Sequence, residues 1–156
     1  MQPAHRAYLA RETAASALIN AVISLLVAWL VFGRAGSPVT DPQAFGADFL
    51  PQAFILSVMS SLVPTALTRR RLQQGVVAPA ARLPLPLPRN LLLRALLIGL
   101  VAMVAAGGAA ALLTPTLWTS TLAMPAVYAV KVVFGVLLSI PVTLVAVRAA
   151  LADGAT

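Results

Sequence analysis

Very few residues in this chain can do chemistry, and their placement restricts which chemistry that is. There is one histidine, His5, no cysteine, and only four acids, Glu12, Asp41, Asp48 and Asp153. A metal site needs clustered His, Cys, Asp or Glu ligands, and a lone histidine near the N-terminus cannot supply one. A serine nucleophile has no histidine to serve it. Gly107-Gly108 lies within an apolar run rather than in a phosphate-cradling turn. Met1, Met59, Met103 and Met124 show no pairing that could hold a haem. The expectation is a protein that is not an enzyme and that carries no metal and no cofactor.

What the chain does offer is a small set of polar groups inside apolar runs. Lys131 lies about six residues into such a run, roughly 9 Å along a helix. A lysine at that depth can snorkel to the interface, which is the simpler reading. The sharper one is an anion or counter-ion site in which Lys131 pairs with Asp48. Glu12, Ser16, Asn20 and Ser24 recur every fourth residue and so share a helix face. Ser57, Ser61, Thr65 and Thr68 form a second polar stripe, and Ala95, Gly99, Ala102, Ala106 and Ala110 a stripe of small residues. Such faces let membrane helices approach and hydrogen-bond, with Asn20 donating across to the second stripe. The functional alternative is a polar cavity lined by Asn20, Ser57 and Ser61. Pro64 and Pro141 each remove a backbone donor, freeing the carbonyls of Ser60 and Leu137, and are the candidate hinges.

The elements that must position these groups follow from composition. Of 156 residues, 60% are hydrophobic and 10% charged, and the mean hydropathy is +0.94. A soluble domain carries roughly 25% charged residues, so the composition excludes one. Four stretches reach the length needed to cross a bilayer, 14–32, 49–68, 91–113 and 126–147. Backbone groups in lipid must be satisfied within each segment, so these are helices. The first is longer than a signal-peptide core and lacks a small-residue cleavage site, so it is expected to stay as a span. The predicted fold is all-α, one membrane domain over residues 1–156, folded as a four-helix bundle.

Charge sets the orientation. Nine of the ten arginines (Arg34 is the exception) fall on the side that holds both termini and the Pro/Arg-rich connection 69–90. Positive loops stay cytoplasmic, which predicts that both termini are inside. The net charge of +7 is thus largely an orientation signal. Arg69, Arg70 and Arg71 stop transfer after the second span and are candidate contacts for anionic lipid. Nucleic acid is excluded as a partner: no aromatic residue lies between positions 55 and 117 to stack beside those arginines. The run LPLPLP (83–88) favours an extended spacer, and the Gly/Pro/Asp-rich stretch 33–48 reads as a turn region.

SLVPTALTRRRL (61–72) and LSIPVTLVAVRA (138–149) align Pro64 with Pro141, Leu67 with Leu144 and Arg71 with Arg148. That alignment suggests a 2+2 duplication of a helical hairpin. Two-helix units ending in an apolar-Pro-apolar run and then arginine resemble a family of short bacterial inner-membrane proteins that has no assigned activity. The resemblance implies a multi-pass inner-membrane protein and no catalytic role. Two functions are consistent with these features. One is a non-catalytic structural, assembly or accessory component, whose partners are the lipid bilayer and either further copies of itself or a larger membrane complex. The other is a small oligomeric permease for a small solute or ion. Reporter fusions at residues 75 and 156 are expected to read as cytoplasmic; a periplasmic signal at either position overturns the orientation.

Overall fold

A computed structural model of the protein describes residues 3–32, 41–80 and 87–154, and their regular structure is helical. In chain order the helices are α1 (Pro3–Val31), α2 (Pro42–Ala47), α3 (Phe49–Gln73), α4 (Leu91–Ala102), α5 (Gly108–Leu117) and α6 (Met124–Asp153). A π-helical turn, Met103–Gly107, joins α4 to α5. Four helical runs are long and apolar enough to cross a membrane: His5–Val31, Pro42–Gln73, Leu91–Leu117 and Met124–Asp153.

These runs coincide with the expected spans but extend further. α1 begins at Pro3, α3 continues through the three arginines to Gln73, and α6 continues past Arg148 to Asp153. Nothing in those extensions breaks a helix, and Arg70 and Arg71 in the last turn of α3 face the favourable negative end of its dipole. The 69–90 connection therefore starts as helix. So does part of the 33–48 turn region: Asp41 caps α2 by accepting from the amides of Gln43 (2.8 Å) and Ala44 (3.1 Å), and Pro42 opens it. Arg34, Arg82 and residues 83–86 of the LPLPLP run lie outside the described residues.

α3 ends for a local reason. Gly75 adopts φ +70°, a conformation that glycine reaches at little steric cost. Its amide donates to Leu72 O and that of Val76 to Arg71 O, both at 3.0 Å, closing a Schellman turn. The chain is thereby sent back along α1, where the Ala80 amide reaches Leu151 O at 3.2 Å.

α6 packs along both α1 and α3, while α4, the π turn and α5 cover another side of α3 and α2 crosses α5. Leu9 of α1 packs with Val147 and Leu151 of α6, so the start of α1 and the end of α6 lie at one end of the bundle, the terminal end. At the far end Phe45, Phe49, Leu122 and Val127 form a second cluster, with Phe32 and Trp118 against it. Large aliphatic residues such as Leu18, Val22, Leu26 and Leu112 point outward, and Ser, Thr, Ala and Gly fill the interior. That inverted pattern is the one lipid demands, because burying leucine between helices gains nothing over leaving it in lipid, whereas small residues bring backbones together.

Gly135 marks the closest such approach. A Cβ there would lie 2.1 Å from Ser24 Oγ and 3.1 Å from Leu56 Cδ1. Gly135→Ala should therefore displace Ser24 and destabilise the bundle by about 1–3 kcal/mol through overpacking. At Gly108 the nearest atom to an added Cβ is 4.0 Å away, so Gly108→Ala should be neutral or stabilise by up to about 1 kcal/mol through helix propensity. Thermal unfolding in detergent checks both, and equal melting temperatures for the two variants would refute this account of the α1–α6 contact.

Candidate functional site

The polar stripe of α1 faces the interior as a unit: Glu12, Ser16, Asn20 and Ser24 are all buried. Asn20 Nδ2 donates to Ser60 Oγ of α3 at 2.6 Å and to Ser16 Oγ at 3.3 Å. Pro64 denies the Ser60 carbonyl its helical donor, and Thr143 Oγ1 of α6 lies 3.4 Å from that oxygen. The same hydroxyl is 2.8 Å from Ser16 Oγ; its single proton serves one of these acceptors at a time. One junction thus ties α1, α3 and α6 together. One helical turn or more toward the far end, Gln52 Nε2 donates to Lys131 O at 3.1 Å and to Ser24 Oγ at 3.4 Å.

The expected grouping of Asn20 with Ser57 and Ser61 is rearranged. Asn20 meets Ser60 instead, because each residue turns the helix by about 100° and, of the three serines, Ser60 is the one turned toward Asn20. Ser57 and Ser61 are buried, with hydroxyls that have no hydrogen-bond partner among the described residues. A cavity of about 110 Å³ lies between α1 and α3, lined by Glu12, Ser16, Asn20, Ser60 and Pro64 among apolar neighbours. Pro64 is buried at this cavity, whereas Pro141 is exposed on the outer face of α6.

Lys131 turns inward rather than toward solvent. It is 1% exposed, and Nζ lies 2.8 Å from Asp48 Oδ2. The contact is an ion pair whose angles fall outside hydrogen-bond geometry. The ammonium also sits over the rings of Phe49 (3.6 Å), Phe45 (4.6 Å) and Phe32 (5.7 Å). Facing an aromatic quadrupole offsets part of the lost hydration, and Phe45 and Phe49 are held edge to face at 5.4 Å. The lysine therefore joins α6 to the α2–α3 corner through Asp48, which stands where α2 ends and α3 begins.

At the terminal end two further clusters form. Arg71 Nη1 donates to Glu12 and, at 3.0 Å, to the Tyr8 hydroxyl, which is also 2.9 Å from Thr68 Oγ1. Arg69 and Arg94 both donate to Asp153, with ion-pair distances of 2.6 Å and 2.9 Å. Arg94 is 1% exposed, and its Nε donates to Pro88 O at 2.8 Å. Arg70 and Arg148 are exposed. Of the three arginines expected to meet lipid, Arg69 and Arg71 also form ion pairs within the protein, with 29% and 32% of their side chains exposed. In the sequence Arg94 is simply one of the nine arginines on the side of the termini. No linear signal connects it to Asp153, which lies at the far end of the chain and is brought back by α6.

Among the described residues no group of three or more His, Cys, Asp or Glu side chains is placed to hold a metal ion. The chain matches no protein-family model, no curated protein and no solved structure. Its chemistry must therefore be argued from the contacts themselves. The buried charges are neutralised in place, and the buried hydroxyl and amide groups largely bond one helix to another.

Asp48→Asn leaves Lys131 buried without its counter-charge. A fully buried pair broken this way loses roughly 3–5 kcal/mol; Asp48 keeps 27% exposure, so about 2 kcal/mol is expected. Lys131→Met combined with Asp48→Asn should recover most of that loss. Thermal unfolding of the single and double variants provides the cycle, and strictly additive losses would show that the pair is not coupled.

Proposed function

We propose that the chain is a non-enzymatic, multi-pass inner-membrane protein that acts as a structural, assembly or accessory component, with both termini in the cytoplasm. One observation carries this reading. The charged side chains that the fold buries, Glu12, Arg94 and Lys131, each face an opposite charge from another helix or helix corner. Ionisable groups inside a membrane protein are solute- or ion-pathway candidates by default, and here each is paired with another helix or helix corner. The inward orientation is supported by the arginines at the terminal end. An internal duplication of a hairpin is part of the proposal: α3 and α6 run in the same direction, pack on each other, and each carries a proline in its half nearer the terminal end.

A second reading, a small oligomeric permease, is favoured by the cavity beside Asn20, Ser60 and Pro64. Purification from native membranes in mild detergent should give a defined assembly, either of several copies or with a larger complex. Proteoliposomes of the purified protein should show no solute or ion flux above empty vesicles. Flux that disappears in Asn20→Ala, with membrane insertion unchanged, would overturn the structural reading in favour of the permease.

A further inference from the structure

Beyond the hydrocarbon spans, the first helix and the segment after α3 enclose a pocket that the sequence did not single out. Its walls are His5, Tyr8 and Arg11 from α1, Arg71 from the last turn of α3, and Val76, Val77 and Ala78 from the chain leaving the Schellman turn. Its volume is about 280 Å³. Drug-sized ligands occupy roughly 300–1,000 Å³, so this space suits a headgroup rather than a larger solute.

The walls are built rather than incidental. His5 is buried, and its Nε2 donates to Ala78 O at 2.9 Å, clamping the returning segment to α1. The Arg71 guanidinium stands 5.5 Å from the Tyr8 ring centroid, and its Nη1 is fixed by Tyr8 and Glu12. Arg11 follows Tyr8 by three residues, on the same side of α1, and is exposed. The lining thus holds two guanidiniums and no carboxylate; Glu12 stands behind Arg71 and offsets part of its charge.

Position and polarity point to one ligand. Arg11 and Arg71 each lie three residues outside the expected apolar edges at Ala14 and Thr68, about 5 Å along a helix. That is the depth of bilayer phosphates. Val76, 68% exposed, adds an apolar shoulder at the rim, beside the charges. We propose that this pocket binds the phosphate headgroup of an anionic phospholipid, with Arg11 and Arg71 as its charged clamp. The proposal uses the membrane placement of the helices and is independent of the choice between structural component and permease.

The test is lipid binding by the full chain in detergent, read by native mass spectrometry. Phosphatidylglycerol is the probe, phosphatidylcholine the zwitterionic control and inorganic phosphate the free-ion control. The wild type should retain phosphatidylglycerol in preference to phosphatidylcholine, and millimolar inorganic phosphate should not displace it. Arg11→Gln, at an exposed position, should weaken that retention about fivefold, the effect of one basic group at a membrane surface. Arg6→Gln, exposed on α1 and outside the pocket lining, should change it little. The proposal is overturned by equal retention of the two lipids or by equal losses from Arg11→Gln and Arg6→Gln. Displacement by inorganic phosphate also overturns it, since it would assign the pocket to a free anion. A melting temperature within a degree or two of wild type shows that the Arg11 variant is folded.

Discussion

A proline in the middle of an apolar span imposes the constraint around which this bundle is organised. Pro64 leaves the Ser60 carbonyl without its helical donor inside an apolar span, and an unsatisfied polar group in hydrocarbon costs several kcal/mol. The remedy comes from another helix: the Thr143 hydroxyl stands within reach of that oxygen, while Asn20 donates to the hydroxyl of the same serine. Satisfying one residue therefore requires α1, α3 and α6 to meet at one level. Gly135, where an added Cβ would lie 2.1 Å from Ser24 Oγ of α1, permits the approach. Interhelical hydrogen bonds in membranes are worth only about 1 kcal/mol each, so their main effect here is to fix which faces meet.

The charged groups extend the same logic to the two ends. At the far end Lys131 is enclosed by Asp48 and three phenylalanine rings, which draws the α2–α3 corner onto α6. At the terminal end Asp153 gathers Arg69 and Arg94, and Glu12 takes Arg71, so α3 is tied to α4, α6 and α1. Since lipid supplies no hydrophobic drive for helix association, these directional contacts and the small-residue packing between them must specify the arrangement. The cost of separating a buried pair is far larger than the net gain from forming it, so the pairs act chiefly against misregistered alternatives.

Function follows from where that polarity is spent. Most polar residues of the interior bond one helix to another, with Ser57 and Ser61 as exceptions among the described residues, while the exterior is aliphatic along α1, α4 and α5. Such a body is suited to holding its own shape in lipid and presenting surfaces, which is the basis for reading it as a structural or accessory component. The arginines at the terminal end divide into two roles. Arg69 and Arg71 hold the fold together, and Arg71 also turns toward a basic pocket with Arg11.

Periodicity and length alone determined the helical class, the four spans and the polar face of α1, because a span must be about 20 apolar residues long and satisfy its own backbone. The Lys131–Asp48 pairing was legible as one of two readings, since both residues flank the same end of their spans. Other features could not be read from the linear chain. Asn20 meets Ser60 rather than Ser57 or Ser61 because the rotation of α3 about its axis is set by packing against two helices. Arg94 became a buried residue only when α6 returned Asp153 to it. The pocket of His5, Tyr8, Arg11 and Arg71 exists because Gly75 reverses the chain against α1. Sequence spacing specifies which residues share a helix face; which faces meet, and which charges end up opposite one another, is decided only when the helices pack.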